Sequence, residues 1–556
     1  MKVFLILLLS AFTIISSAAQ VPGVAGPWYG TINPPGAEFE IAVTIQKRDA
    51  GGWTGVLLME NGLSFQLNDI TIDGSAISFS LEVRPAVKAS LKGALSPDGT
   101  GISGEFTQNG AKFPFKLSRT PAGALQGASG AIDPNELIEM MTSFSGPLAD
   151  RPFVPPLTHS AIEYGIRPSR DAVANLIRDI EEGKVQLKFN GEPGYLRSLL
   201  DALNIPVESQ MAVFSKTSVQ AAIISPENPR TLYFNDSVVV GSVRGGFIEI
   251  AAQDPEQGAN FYMLPQQPGD KPFFIKSDNC LSCHLSRNSL DVPGMLARSV
   301  YASRDGVPIN PLGSHLLDHR TSFQERWGGW YVTGSSGSMR HLGNATVNHL
   351  DKPESMVTDE TLNVKTLKGK FDTDAYLSPY SDIVVLMVFE HQMHMMNLIT
   401  RAGWDFRTAS FLERTTGKRN STLERQLRDA ANELVDYLLF IEEAPLSGKI
   451  QGVSGFAAKF ASEGPNDSKG RSLRQLDLER RLMRYPCSYM IYAKAFDALP
   501  AESKKAIYER MWEVLSGAEK NPKYDRLTSA DRQAVVEILR DTKQDLPDYF
   551  KATQRR

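Results

Sequence analysis

The stretch Ser277-Asp278-Asn279-Cys280-Leu281-Ser282-Cys283-His284 contains a Cys-x-x-Cys-His unit. The unit uses two of the three cysteines in a chain of 556 residues. It is typical of c-type haem attachment, in which both thiols form thioethers with the porphyrin and the adjacent histidine binds the iron. The sequence therefore predicts one covalent haem c, with Cys280 and Cys283 as its anchors and His284 as its iron ligand.

A zinc site or a redox dithiol could use the same pair of cysteines. A zinc site needs further ligands at short spacing, such as a second Cys-x-x-Cys unit. The third cysteine, Cys487, lies far along the chain in Tyr485-Pro486-Cys487-Ser488-Tyr489 and has no second cysteine beside it. The histidine that follows the motif, and the helical patterns around it, favour haem over a redox dithiol.

The N-terminus has the pattern of a cleavable secretory signal. Lys2 supplies a positive charge, residues 3–15 form an apolar run, and Ser17-Ala18-Ala19 is a small-residue cleavage site. We therefore expect a signal peptide over 1–19, cleaved after Ala19, and a periplasmic or secreted protein. Export agrees with the haem motif, because c-type haem is attached outside the cytoplasm.

The net charge and the hydropathy of the chain bear on whether it binds nucleic acid or spans a membrane. The formal net charge is −4, which argues against a broad basic surface for nucleic acid. After the signal, no segment approaches the roughly 18 uninterrupted apolar residues that a membrane span needs. We expect no membrane span in the mature chain, and either a periplasmic redox partner or a small-molecule substrate.

The first domain is predicted to be all-β. Apolar residues alternate at Ile77, Phe79 and Leu81, while Asp73-Gly74 and Asn109-Gly110 are hairpin turn pairs. Residues 20–119 therefore predict a β-sandwich or barrel-like module. This region resembles the small β modules at the front of some secreted bacterial hydrolases. The chain has no Gly-x-Ser-x-Gly nucleophile elbow, so we expect a structural or docking role for it.

The rest of the chain predicts a multidomain protein with three further parts. Residues 120–157 read as a linker around a short helix near 135–143, because glycine and proline recur there. Residues 158–265 predict a mixed α/β section, and residues 266–556 a mainly α-helical, cytochrome c-like haem domain. The α/β section is expected to hold helices at 171–183 and 195–203 and strands at 211–214, 221–224 and 231–234, and to continue through 241–250.

Candidates for the sixth iron ligand come from a Met-rich helical pattern at 384–402. His391 and His394 are three residues apart and would share one helix face. Met295 is a second candidate, as a thioether ligand. Pro293 lies in the loop after the motif, and we expect its carbonyl group to orient the imidazole of His284.

Other residues could line the macrocycle. Porphyrin propionates need cations, and tryptophans could wall the ring. His319 and His341 are further candidates for the distal side. The cationic candidates are Arg298, Arg320, Arg326 and Arg340, and the aromatic candidates are Trp327 and Trp330.

Residues 160–500 resemble a group of large exported bacterial proteins that carry a cytochrome c domain. The resemblance implies haem binding and export but specifies no reaction. Bacterial dihaem peroxidases are a more distant comparison, from which this chain departs by holding one attachment motif. The runs that carry the resemblance are Phe214-Ser215-Lys216-Thr217-Ser218, Asn228-Pro229-Arg230, Gly245-Gly246, Val292-Pro293-Gly294, Arg326-Trp327-Gly328-Gly329-Trp330-Tyr331, Asp467-Ser468-Lys469-Gly470-Arg471 and Tyr485-Pro486-Cys487.

Three functions remain open at this point. The first is an electron-transferring c-type cytochrome, which needs both axial positions of the iron filled. The second is a haem-dependent oxidoreductase, peroxidase- or oxygenase-like, with substrate access to the iron. The third is a sensor or adhesin in which haem is a structural element. The length of the chain around a single haem favours the second over a simple carrier.

Overall fold

The computed structural model describes residues 23–32, 39–47, 52–59, 64–84, 87–108, 111–119, 154–269, 272–419 and 421–551. The chain divides into two compact units, Met1–Met140 and Met141–Arg556. The predicted signal peptide, the Asn109-Gly110 turn and the helix near 135–143 lie outside the described residues.

The first unit contains an antiparallel sheet of nine strands among its described residues, in the order β4-β3-β2-β1-β9-β8-β7-β6-β5. The sheet is nearly closed into a barrel, because β3 and β4 at one end lie against β5 and β6 at the other. The strands are β1 Gly26–Ile32, β2 Phe39–Lys47, β3 Trp53–Met59, β4 Ser64–Gln66, β5 Asn68–Asp73, β6 Ala76–Arg84, β7 Val87–Leu95, β8 Gly101–Gln108 and β9 Ala111–Ser118.

Side-chain alternation explains this sheet. Ile77, Phe79 and Leu81 on β6 are all buried in one core cluster, since side chains two apart on a strand share a face. The Asp73-Gly74 pair connects β5 to β6, and Gly74 takes a positive φ of 57° that suits a tight hairpin turn. The predicted all-β module is therefore confirmed.

The second unit is built on a seven-stranded antiparallel sheet in the order β15-β14-β13-β12-β11-β10-β18. Two of its strands come from beyond residue 265, so the predicted α/β section and the region of the Cys-x-x-Cys-His unit share one sheet. The segment 221–224 forms a 3₁₀ turn, Ala221–Ile223, in place of the predicted strand. The strands are β10 Met211–Val213, β11 Arg230–Phe234, β12 Val238–Ser242, β13 Ile248–Asp254, β14 Gly258–Leu264, β15 Ile275–Lys276 and β18 Trp330–Tyr331, with a separate pair β16 Arg298–Val300 and β17 Ser314–Leu316.

The two faces of this sheet pack against different helices. Tyr233 and Ile250 face a core that includes the helices Ala172–Glu181 (α1) and Leu196–Ala202 (α2). Leu232 and Phe261 face the opposite way, into the large core around the helix Ile383–Thr416 (α4). Because side chains alternate along a strand, the four strands β11 to β14 contribute to both cores.

The region after residue 265 is mainly helical only from Ile383 onward. Residues 285–382 contain short strands and 3₁₀ turns, since glycine and proline recur there and interrupt helices. The short helix that contains most of the Cys-x-x-Cys-His unit is α3 Leu281–His284. After α4 follow α5 Ser421–Leu438, α6 Phe456–Ser462, α7 Lys494–Asp497, α8 Ala501–Leu515, α9 Ser529–Thr542 and α10 Asp548–Lys551.

Helix α4 is the central element of the second unit. Asp382 caps its N-terminus by accepting a hydrogen bond from the Val384 amide at 2.8 Å, and Gly417 ends it in a left-handed conformation. In the described part of the chain it is the one helix long and apolar enough to cross a membrane, but its apolar window is entirely buried in the fold. A helix that is apolar on all sides is expected in a protein core as well as in a membrane.

Candidate functional site

The Cys-x-x-Cys-His unit follows the edge strand β15. A 3₁₀ turn, Asp278–Cys280, leads directly into α3, so the two cysteines and His284 lie on one helical turn. Cys280 is partly buried against the large core, whereas Cys283 is exposed. Two thiols and an imidazole are thereby presented from one short helix at the edge of the sheet.

A backbone carbonyl group fixes the orientation of His284. Its Nδ1–H donates a hydrogen bond to the Gly294 oxygen at 2.8 Å, while the Gly294 amide donates to the His284 oxygen at 2.9 Å. Pro293 was predicted to supply this acceptor, but its carbonyl accepts from the Ala259 amide at 2.8 Å instead. The acceptor is therefore one residue later than expected.

This hydrogen bond sets the chemistry of the imidazole. Because Nδ1 carries the proton, Nε2 keeps a lone pair for a metal ion. Burial lowers the pKa of His284, which favours the neutral form that binds metal ions. The Phe261 ring lies beside the imidazole, with their centroids 4.8 Å apart.

The loop that carries Gly294 is held against α4. Asn397 accepts a hydrogen bond from the Met295 amide at 3.1 Å and donates one to the Met295 oxygen at 2.9 Å. Gly294 fits tightly, since a Cβ atom there would lie 2.2 Å from Asn397 Oδ1. The side chain of Met295, a predicted sixth ligand, is buried in the core cluster around α4.

Two arginines and a glutamate surround the motif. Arg230 and Glu249 form an ion pair at 2.6 Å, and both charges act on the pKa of the His284 imidazole. Arg298, a predicted propionate partner, is close enough to Cys283 for the two groups to interact electrostatically, and burial lowers its pKa. Arg298 therefore lies near the motif, and its role as a propionate partner stays a prediction.

His391 and His394 lie in a second, buried polar cluster on α4. The Nδ1 atoms of His391 and His319 are 2.8 Å apart, and His391 Nε2 lies 2.7 Å from Ser488 Oγ. His394 Nε2 accepts a hydrogen bond from Arg320 at 3.1 Å. Burial lowers the pKa of His391 to about 3 and that of His394 to about 4, so both side chains are neutral at pH 7.

Arg326 and Trp327 belong to the same second cluster. Arg326 pairs with Glu390 and also donates to the Thr321 oxygen at 2.7 Å. The Trp327 indole donates to Glu390 at 3.3 Å. Burial raises the pKa of Glu390 to about 8, an effect that Arg326 opposes. These contacts occupy the guanidinium and indole groups within the core.

The structure thus separates the predicted site residues into two groups. Cys280, Cys283, His284 and Arg298 lie together, whereas the two α4 histidines, Arg326 and Trp327 form the second cluster. In the described part of the chain, no group of three or more His, Cys, Asp or Glu side chains is arranged to hold a metal ion. Both ring nitrogens of His391 are engaged inside its own cluster.

Three contributors to the motif's surroundings were missed by sequence reasoning. Gly294 follows Pro293 directly, but which of two neighbouring carbonyl groups faces the imidazole depends on loop geometry. Arg230 and Glu249 come from strands β11 and β13, and only the sheet register brings them to the same side.

No protein-family model, curated protein or solved structure matches the chain.

Proposed function

We propose that this protein is an exported c-type cytochrome that binds one covalent haem and transfers electrons. The observation that carries the proposal is the hydrogen bond from His284 Nδ1 to the Gly294 oxygen, beside two cysteines on the same helical turn. A ligating histidine needs its second ring nitrogen held by an acceptor. The Cys-x-x-Cys-His spacing supplies the other half of the argument.

Each residue has a separate role in this proposal. Cys280 and Cys283 would hold the haem through thioethers, and His284 Nε2 would bind the iron. The donor set fits the group, since it offers two thiols and a neutral, oriented imidazole. Bound haem iron supplies one-electron chemistry by alternating between ferric and ferrous states.

The test uses intact-mass measurement on protein exported from cells that attach c-type haem. Wild type is expected to carry one covalent haem, and the double variant Cys280→Ala/Cys283→Ala none. Cys487→Ala is the matched control, because Cys487 is fully buried away from the motif and should leave attachment unchanged. A wild-type protein without covalent haem would overturn the proposal.

A second candidate, a haem-dependent oxidoreductase, is favoured by one observation. The predicted sixth ligands are engaged elsewhere: His391 binds His319 and Ser488, and the Met295 side chain lies in the core. An iron with an open sixth position could react with peroxide, oxygen or a small substrate. Ferrous protein that binds carbon monoxide supports this candidate, and a low-spin ferrous form that ignores carbon monoxide excludes it.

The location and partners follow from the same proposal. A periplasmic or secreted protein meets a redox partner or small-molecule substrate in that compartment. Fractionation of cells that express the full chain, with cytoplasmic and periplasmic marker enzymes, tests the location. Recovery of the protein in the cytoplasmic fraction alone would contradict export.

A further inference from the structure

The Arg230–Glu249 ion pair is the least expected feature beside the motif. Arg230 starts β11 and Glu249 lies on β13, with Gly241 of β12 between them. A Cβ atom at Gly241 would lie 3.4 Å from Glu249 Oε2, so the glycine leaves room for the pair. Both side chains are on the α4-facing side of the sheet, because residues two apart on a strand share a face. Arg230 is two residues from Leu232 and Glu249 is two residues from Ala251, and both of these contact the core around α4.

Glu249 is held as a carboxylate by its neighbours. It accepts hydrogen bonds from Ser218 Oγ at 2.7 Å and from Gln220 Nε2 at 3.0 Å, in addition to Arg230. Burial acts to raise the pKa of Glu249, but the Arg230 charge and these hydrogen bonds outweigh it, so the pKa is lowered. The pair therefore consists of two full charges at pH 7.

Arg230 has hydrogen-bonding capacity left over. Glu249 binds one end of the guanidinium group, at Nη1, and the side chain keeps 16% of its surface exposed. The exposed part can take an anionic ligand, whereas the Nε atom is buried without an acceptor among the described residues and lies out of a ligand's reach. A guanidinium group recognises carboxylates best, because its fork of donors matches their two oxygens.

We propose that Arg230 binds a haem propionate and that Glu249 positions its guanidinium group for that contact. This inference rests on the proposed function. The propionates are the anionic groups of the porphyrin. The ion pair lies near the motif, because Glu249 is two residues from Ala251 on β13, Ala251 pairs with Phe261 on β14, and the Phe261 ring lies 4.8 Å from the His284 ring. Arg326 is one of the arginines predicted for this role, but its guanidinium group instead binds Glu390 and backbone carbonyls.

Arg230 and Glu249 carry opposite charges, so removing one or the other should shift the midpoint potential of the haem in opposite directions. Ferric haem carries one more positive charge than ferrous haem, so a nearby cation destabilises the ferric state. Arg230→Gln should therefore lower the midpoint potential, and Glu249→Gln should raise it. The double variant should lie between the two single variants. A purely structural role would shift both single variants in the same direction, since each breaks the same ion pair.

The experiment is spectroelectrochemical titration of the purified holoprotein and these three variants at low ionic strength. Arg244→Gln is the control, because it breaks a partly exposed ion pair with Glu192 and should leave the midpoint potential unchanged. A fall or no change with Glu249→Gln overturns the proposal, whether or not Arg230→Gln folds. Midpoint shifts of the same sign in both single variants also overturn it.

A second measurement separates a propionate contact from a charge effect on the iron alone. Loss of the Arg230 cation should raise the propionate pKa, so the pH at which the midpoint potential begins to fall should move upward in Arg230→Gln. An unchanged pH profile overturns the propionate contact. Failure of the proposed function is distinguishable, because wild type would then show no covalent haem before any variant is compared.

Discussion

Gly294→Ala is expected to disturb the loop that orients His284. The new methyl group would lie 2.2 Å from Asn397 Oδ1 and 2.7 Å from its Cγ atom, well inside van der Waals contact. Asn397 must then move, and its two hydrogen bonds to the Met295 backbone are lost. The carbonyl of Gly294, which accepts from His284 Nδ1, moves with the loop.

The magnitude follows from two contributions. Two hydrogen bonds at about 1 kcal/mol each give a loss of about 2 kcal/mol. Overpacking a tight site adds about 1–3 kcal/mol. Gly294→Ala should therefore destabilise the second unit by about 3–5 kcal/mol, and Asn397→Ala, which loses the same hydrogen bonds without the added methyl, by about 2 kcal/mol. The double variant should resemble Asn397→Ala, because the smaller side chain removes the clash.

Urea denaturation followed by near-ultraviolet circular dichroism measures these differences, since it reports the packing of aromatic side chains. The four proteins form a double-mutant cycle, whose coupling term isolates the clash from the lost hydrogen bonds. Gly294→Ala with wild-type stability would refute the tight packing at this position. A double variant that is less stable than Gly294→Ala would refute the assignment of the clash to Asn397.

Two further predictions concern Arg326, in the second cluster, and His341, whose ring lies 5.2 Å from that of Trp327 in the same cluster. Arg326→Met should destabilise the protein by about 2–4 kcal/mol in urea denaturation, because it removes buried hydrogen bonds to Glu390 and to the His319 and Thr321 carbonyl groups, at about 1 kcal/mol each; Arg340→Met, whose ion pair with Asp359 is exposed, should cost less than about 1 kcal/mol, and equal losses would contradict the burial argument. Burial lowers the pKa of His341 to about 4 from about 6.5 in the unfolded chain. The stability that neutral His341 contributes to the fold is therefore complete above pH 6.5 and is lost as the pH falls toward 4. When the pH falls from 7.5 to 5, the free energy of unfolding of His341→Gln should therefore fall by about 2 kcal/mol less than that of wild type. An identical pH dependence of unfolding in the two proteins would contradict this.

Much of the fold could be predicted from local pattern. The period of two at Ile77, Phe79 and Leu81 gave the strands of the first unit, and Asp73-Gly74 gave a turn. The apolar run at 384–402 gave α4, which extends to Thr416. Thr528 and Asp531 form the capping box of α9, and their spacing in the sequence is typical of one. Each of these signals lies within a few residues of the structure that it specifies.

These local patterns could not predict which segments pair when they lie far apart in the sequence. The expected boundary at residue 265 is bridged by the sheet, because β18 pairs with β10 across more than a hundred residues of sequence. The segment 221–224 is apolar enough for a strand, but it forms the 3₁₀ turn Ala221–Ile223 and is not part of the seven-stranded sheet. Tertiary pairing decides such short segments.

The candidate site shows the same division. The attachment motif is a local signal, and it predicted three residues that lie together. The α4 histidines share a helix face as predicted, but the partners of that face are His319 and Ser488, from distant parts of the chain. The Arg230–Glu249 pair depends on sheet register, which the sequence alone left open.

The pyridine haemochrome spectrum of the exported protein, after extraction of non-covalent haem with acidified acetone, tests the central claim most directly. We predict a c-type spectrum with one haem for each polypeptide, lost in Cys280→Ala/Cys283→Ala. In the native protein, before extraction and before pyridine is added, His284→Ala should change the absorption bands that depend on the axial ligands. Wild-type protein that retains no haem after extraction would contradict the account.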